Sequence, residues 1–333
     1  MKAFQSMPWR RLPLARKAAL CYLGPMLAVF LQTLPFFAVI GLGYGAGKVG
    51  FFPPEATAWL TRFVFYFALS AMLFGFSASM SLSEIFEPRA AAAYLWGCAV
   101  VYLIALAVAF VRLRPLTEAV MEAHTAIIGN TGFLGVPMLV LLLGDPAART
   151  VLLVLSIDLI VFSSLLTVII TLAREGRLTP ALPRVIGLGL ARNPMVVAMA
   201  AGLAWSATGL ALPGPVTATT TLLGAAATPG ALFAIGASLT TKRAERLTVA
   251  GWLSVAKLVL HPLAVGGAAV WIFHVEPYAT GVLVSAAALP VAGNVYILAQ
   301  HYGVAVARVS AAILISTLFS VLTVPLVIAQ VGG

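Results

Sequence analysis

Long runs of apolar residues, separated by short polar or proline-containing segments, make up most of this chain. The runs are rich in Leu, Ala and Val and lack the alternation of apolar and polar positions that marks membrane strands, so they predict helices. A helix needs about 20 mainly apolar residues to cross a bilayer. We predict ten spans, at residues 26–47, 56–78, 90–112, 119–143, 147–172, 194–211, 217–240, 247–274, 278–301 and 307–330.

The composition fits a chain whose main solvent is lipid. Of its 333 residues, 62% are hydrophobic and 9% are charged, and the mean hydropathy is +1.05. A soluble domain carries about 25% charged residues. The net charge of +10 comes mostly from loop Lys and Arg, so we expect the bilayer and not nucleic acid as a partner. Cys21 and Cys98 predict neither a disulfide framework nor a metal site.

The distribution of Lys and Arg between the loops predicts the orientation. With the first 25 residues set aside, one side carries Arg89 and Arg149. The other side carries Lys48, Arg112, Arg114, Arg174, Arg177, Arg184, Arg192, Lys242, Arg243, Arg246 and Arg308. We therefore expect a multi-pass protein of a bacterial inner (cytoplasmic) membrane, with both termini in the periplasm.

The first 25 residues disagree with this orientation, because they are basic and contain no acidic residue. Such a segment is drawn to the cytoplasm. A signal peptide is one explanation, but no small-residue cleavage motif stands before Lys48. We interpret residues 1–25 as an extension that is loosely attached or not translated, with Met26 beginning the first span.

The two halves of the chain partly align with each other. A shift of 159 positions places Pro35 on Pro194, Gly43 on Gly202 and Phe74 on Phe233. A shift of 164 positions places Gly129-Asn130 on Gly293-Asn294. We predict two five-helix repeats, 26–172 and 194–331, joined by a cytoplasmic loop at 173–193. Because five is odd, the second repeat enters the membrane from the opposite side, which is typical of transporters.

Clusters of Gly and Pro predict breaks in the fourth and ninth spans. Gly costs about 1 kcal/mol and Pro about 3 kcal/mol inside a helix. Broken backbone in a membrane is tolerated only against protein or a wet cavity, and half-helix N-termini favour an anion. Asn130 and Asn294 offer donors and acceptors there. The alternative is an ordinary kink in each helix.

Three further polar residues within the predicted spans are candidates for function. Asp158 lies in the fifth span, where a carboxyl can couple a proton or can bond the amides of a broken helix. His124 can relay protons or can lie at the membrane interface. Lys257, in the eighth span, can attract an anion, pair with Asp158 or extend to the cytoplasmic edge.

Several stretches resemble the auxin efflux carrier family. They lie at 34–45, 129–137, 226–239, 257–262 and 289–294, and the resemblance extends over about residues 26–330. It implies an all-helical fold similar to that of the bile acid sodium symporters, with ten spans as two inverted repeats and with the fourth and ninth crossing. It also implies a scaffold of spans 1, 2, 6 and 7 that forms a homodimer, and a mobile transport domain that works as an elevator.

The resemblance also implies a substrate site at the crossing spans. Its residues are expected to be Asn130, Thr131, Gly132, Pro137, Pro290, Asn294 and Val295. The fourth span has Ala126 where the ninth has Pro290, so the first break must depend on Gly129, Gly132 and Pro137. Bacterial relatives include proposed carriers of malonate and other carboxylates. Plant relatives export auxin, but their long central loop is missing here.

These observations favour a secondary carrier for a small organic anion, without a bound cofactor, and coupled to protons, to sodium or to neither. A nucleotide-binding Gly-x-x-x-x-Gly-Lys-Ser/Thr motif is absent, which excludes ATP as the chain's own energy source. An enzyme is disfavoured, because the sequence shows neither a second mid-membrane acid beside Asp158 nor a Gly-x-Ser-x-Gly nucleophile. The remaining alternative is a channel or a membrane sensor built from the same parts.

Overall fold

The computed structural model describes residues 14–176, 182–240 and 247–331, which form helices and the turns between them. Part of the N-terminal extension (1–13) and four of the predicted cytoplasmic cations (Arg177, Lys242, Arg243 and Arg246) lie outside the described residues. Residues 14–25 are helical and continue into the first predicted span, since Leu, Ala, Arg and Lys all favour helix.

The helices follow one another along the described part of the chain with short connections. They are α1 (Leu14–Lys48), α2 (Pro54–Ala78), α3 (Leu82–Ile85), α4 (Pro88–Val111), α5 (Leu116–Ile127), α6 (Thr131–Leu143), α7 (Ala147–Arg174), α8 (Leu182–Arg192), α9 (Pro194–Ser206), α10 (Gly214–Leu239), α11 (Leu247–Ile272), α12 (Pro277–Ala287), α13 (Gly293–Tyr302) and α14 (Val306–Val331).

Seven of the described helices are long and apolar enough to cross a membrane: α1, α2, α4, α7, α10, α11 and α14. An eighth span is possible if α8 and α9, which meet at an angle of 78°, form one bent unit. The predicted spans 119–143 and 278–301 are each interrupted, the first between α5 and α6 and the second between α12 and α13. The count of ten spans therefore stays a prediction.

One difference from the prediction concerns residues 173–193, which we expected to be a loop. The described part of this segment contains the helix α8. Leu182 is buried, whereas Val185 and Leu188 are exposed. Pro194, in the first turn of α9, follows Asn193, whose side chain accepts a hydrogen bond from the Met195 amide. A helix ends readily before proline, so the segment bends instead of continuing straight.

Most of the helix packing falls within two groups. The first contains α1, α2, α9 and α10, and the second contains α4, α5, α7, α11, α12 and α14; α1 also packs against α14 and so joins the two groups. Two close helix crossings hold the first group together. A Cβ added at Gly43 would lie 2.1 Å from the Phe233 carbonyl oxygen, and one added at Gly202 would lie 2.7 Å from the Phe74 carbonyl oxygen. Glycine is therefore required where these backbones touch.

Candidate functional site

The two helix breaks lie against each other in the middle of the fold, and we call this region the crossover (residues 128–130 and 288–292). The Asn130 amide donates a hydrogen bond to the Pro290 carbonyl at 2.8 Å, and the Ala292 amide donates one to the Ile128 carbonyl at 3.1 Å. Together they form a short antiparallel bridge between Gly129 and Val291. One amide and one carbonyl of each break are thus satisfied by the other break.

Glycine and proline contribute to the breaks in different ways. Gly129 lies in the first break, where an added Cβ would be 3.3 Å from the Ala286 carbonyl oxygen. Pro290 is buried in the second break. Gly132 and Pro137, by contrast, lie inside α6, the former in the π-helical turn that begins it. The first break therefore depends on Gly129 and its long-range bonds, and not on Pro137.

A small cavity lies beside the crossover, between the N-terminal ends of α6 and α13. Its volume is about 20 Å³, which is room for about one water molecule. The residues that line it are Ile128, Gly129, Asn130, Gly132, Phe133, Leu155, Asp158, Leu159, Met195, Ala292, Gly293 and Asn294. Met195 belongs to α9, so the cavity lies where the two packing groups meet.

The cavity brings together some of the predicted site residues and leaves others out. Asn130, Gly132, Asn294 and Asp158 line it. The other predicted residues, all within the described part of the chain, do not line the cavity: Thr131, Pro137, Pro290, Val295, His124 and Lys257. Thr131, Pro137, Pro290 and Val295 are buried in the packing around the crossover.

Two buried oxygen atoms at the cavity have no hydrogen-bond donor among the described residues. They are Oδ2 of Asp158 and Oδ1 of Asn294. The other carboxylate oxygen of Asp158 accepts a hydrogen bond from the Tyr94 hydroxyl at 2.9 Å. Asp158 itself is 3% exposed and lies in a π-helical turn of α7. Unsatisfied buried acceptors are costly, so these two oxygens leave the cavity with acceptors for a hydrogen-bond donor.

Lys257 belongs to a second buried polar cluster, behind the crossover. Its ammonium donates a hydrogen bond to the Ala287 carbonyl and lies 3.1 Å from Nδ1 of His261. His261 Nε2 lies 3.1 Å from Sγ of Cys98. Tyr94 and Cys98 are one turn apart on α4, as Lys257 and His261 are on α11. This i, i+4 spacing in both helices is the sequence signal that our interpretation of Lys257 alone missed.

A third polar cluster joins the start of α5 to the start of α14. The fully buried carboxylate of Glu122 accepts hydrogen bonds from Arg112 and, at 2.5 Å, from Arg308. Glu118 pairs with Arg308 at 2.5 Å. We had counted both arginines as loop cations and had not singled out either glutamate. Glu122 falls inside the predicted span 119–143, and an acid at such a position is a signal for a buried ion pair.

His124 lies six positions after Glu118 and two after Glu122 on α5, but outside their ion-pair network. It is fully buried. Neither ring nitrogen has a hydrogen-bond partner in the part of the chain that the structure describes. The structure thus places His124 inside the protein and away from the cavity lining.

A larger cavity, of about 380 Å³, opens at the ends of α3, α4, α7 and α12. Glu87 and Glu276 cap α4 and α12 by accepting hydrogen bonds from the first amides of those helices. Hydrogen bonds from the Ser81 amide and hydroxyl lower the pKa of Glu84, which also pairs with Arg149 at 3.7 Å. The carboxylates of this cavity are thus engaged in an ion pair or in capping helix ends. The lining therefore does not indicate one class of ligand.

Comparison with known proteins gave two matches. The model of the membrane transport protein family matches residues 28–328. A protein of Rhizobium meliloti (strain 1021), named "Putative malonate transporter", is 33% identical over 304 residues, which cover 88% of this chain and 92% of the relative.

Proposed function

Because this chain belongs to the membrane transport protein family, the auxin efflux carrier family of the sequence resemblance, we propose that it is a secondary carrier of a small organic anion. The chain is a multi-pass membrane protein. The observation that carries the proposal is the crossover, where two broken helices direct their N-terminal ends at one cavity lined by Asn130, Asp158 and Asn294.

The electrostatics of the cavity support an anion. The N-terminal ends of α6 and α13 carry unpaired amides and partial positive charge, and neither Asn130 nor Ala292, the residues before these helices, caps them with a side-chain hydrogen bond. The name of the relative supports a dicarboxylate such as malonate. With room for about one water molecule, the cavity must widen to admit a carboxylate.

Two contacts support an inverted repeat. Gly43 touches Phe233, and Gly202 touches Phe74. The shift of 159 positions turns the first pair into the second, because Gly43 falls on Gly202 and Phe74 falls on Phe233. If the two halves are related by a twofold axis, each contact from the first half to the second has an equivalent from the second half to the first, as these two contacts do. We extend this to ten spans in two five-helix repeats, 26–172 and 194–331.

The two packing groups support an elevator mechanism. The group α1, α2, α9 and α10 serves as the scaffold and as the surface of a homodimer, and the other group carries the substrate. The cavity lies between them, since Met195 of α9 faces Asn130 and Asp158 across it. Sliding of the second group past the first would expose the cavity to each side in turn.

The free carboxylate oxygen at the cavity supports coupling through Asp158. Asp158 can take up a proton there, and with Asn294 it can accept a sodium ion instead. We favour the proton and place the carrier in the cytoplasmic membrane with both termini in the periplasm. His124 is not one of the residues that line the cavity, so we do not assign it as the first proton acceptor.

The test is counterflow in proteoliposomes. The purified protein is reconstituted, and labelled malonate, malate, succinate, short monocarboxylates and indole-3-acetate are offered with and without an inward proton gradient. A carrier accumulates label transiently against its gradient when unlabelled substrate is loaded inside. Flux that does not saturate and shows no counterflow would identify a channel, and the absence of flux from vesicles with folded protein would favour a sensor.

A further inference from the structure

Lys257 is a fully buried basic residue whose ammonium makes its direct polar contacts with a backbone carbonyl and a histidine. Its ammonium donates to the carbonyl of Ala287, the last residue of α12. Within residues 14–176, 182–240 and 247–331 it forms no ion pair, with Asp158 or any other carboxylate. Asp158 acts on the ammonium only through space, and burial of an ammonium without a paired carboxylate is costly, so we infer that the carbonyls in contact with it supply part of the compensation.

The C-terminal end of α12 supplies negative charge that compensates the ammonium of Lys257. The last carbonyls of a helix lack intrahelical donors and carry partial negative charge. Gly129 brings the other break to the same point, because a Cβ added there would lie 3.2 Å from Lys257 Nζ and 3.3 Å from the Ala286 carbonyl oxygen. The ammonium thus sits where the end of α12 meets the extended backbone of the first break.

His261 and Cys98 hold the ammonium in this position. An ammonium has donors only, so Nδ1 of His261 accepts from it and the ring proton lies on Nε2. That proton is then donated to Sγ of Cys98 at 3.1 Å. The histidine is neutral in this arrangement and serves to position Lys257.

Carriers with broken helices bind sodium at unwound carbonyls and at the C-terminal ends of half-helices. We propose that Lys257 is a tethered cation that occupies a position of this kind, so that the carrier works without sodium there. The inference rests on the proposed function. Removal of the ammonium, with its space left open, then creates a site for Na⁺ between the end of α12 and Gly129.

The transport test compares the wild type with Lys257→Ala, which leaves space, and Lys257→Met, which fills the space without charge. Counterflow is measured in choline and in Na⁺ at equal ionic strength. The wild type should be equally fast in both. Lys257→Ala should be slower in choline by about tenfold or more and should recover in Na⁺, whereas Lys257→Met should be slow in both. Full activity of Lys257→Ala in choline, or slow transport in both salts, would overturn the proposal.

Thermal unfolding in detergent gives a readout that needs no transport. Na⁺ should raise the Tm of Lys257→Ala by about 2 °C or more and leave the wild type and Lys257→Met unchanged. Lys257→Ser serves the same test if Lys257→Ala does not yield folded protein. An equal shift in all variants, or none in either small variant, contradicts the tethered cation. If the wild type transports nothing, the proposed function fails, and this Tm comparison still decides the role of Lys257.

Discussion

The closest helix approach at a glycine of the described residues gives a stability prediction. A Cβ added at Gly236 of α10 would lie 1.9 Å from the Ile40 carbonyl oxygen of α1. An ordinary carbon–oxygen contact is about 3.3 Å. Gly236→Ala therefore requires α1 and α10 to separate by about 1.4 Å, the difference between these two distances.

The clash is with backbone, which has no rotamer to yield. Overpacking of a core by flexible side chains costs about 1–3 kcal/mol, and we expect Gly236→Ala to reach the upper end, about 3 kcal/mol. For a chain of this length 1 kcal/mol corresponds to about 2 °C in Tm. The Tm of purified Gly236→Ala, followed in detergent, should therefore fall by about 6 °C.

A matched glycine serves as the control. Gly251 lies in the long helix α11, and a Cβ added there would meet nothing within 4 Å. Gly251→Ala gains helix propensity of about 1 kcal/mol, so its Tm should stay level or rise slightly. If Gly236→Ala unfolds at the wild-type temperature, or if Gly251→Ala falls as far, the described packing of α1 on α10 is wrong.

Further predictions concern charged groups. Glu122→Gln leaves Arg308 short of a buried partner, so the protein should lose about 3 kcal/mol of stability. Glu84→Gln, in an exposed pair, should lose much less. The Tm of the two variants checks this, and equal losses would contradict it. Asp158→Asn should transport at a rate that no longer responds to an inward proton gradient, as counterflow at two external pH values would show. A response equal to that of the wild type would clear Asp158 of proton coupling.

The sequence predicted the positions of the breaks because helix breaking is local chemistry. Gly129 and Pro290 disfavour a helix wherever they stand, and Asn130 and Asn294 stand beside them. The hydrogen bond from the Asn130 amide to the Pro290 carbonyl is a contact across 160 positions. The partial match between the halves, and the family resemblance with its crossing fourth and ninth spans, pointed to it.

The polar clusters were harder to predict, because apolar helices in lipid do not reveal which face meets protein. Tyr94 and Cys98 were not singled out, since lipid-facing and buried positions have similar hydrophobicity. Arg112 and Arg308 were counted as loop cations, because position near a span end does not tell whether an arginine meets water or a buried glutamate. The helix α8 was missed because Gly187 and Gly189 weaken its local signal.

The central claim is that the substrate binds at the crossover cavity. Counterflow of the best labelled carboxylate should be compared for Asn130→Ala, Asn294→Ala and the control Gln300→Ala, whose amide is exposed on the same helix as Asn294 and bonds Tyr296. Loss of a ligand hydrogen bond costs about 1–3 kcal/mol, so the first two variants should lose transport by about tenfold or more while the control keeps the wild-type rate. Folded Asn130→Ala and Asn294→Ala proteins that transport as the wild type does would remove the crossover from the substrate path.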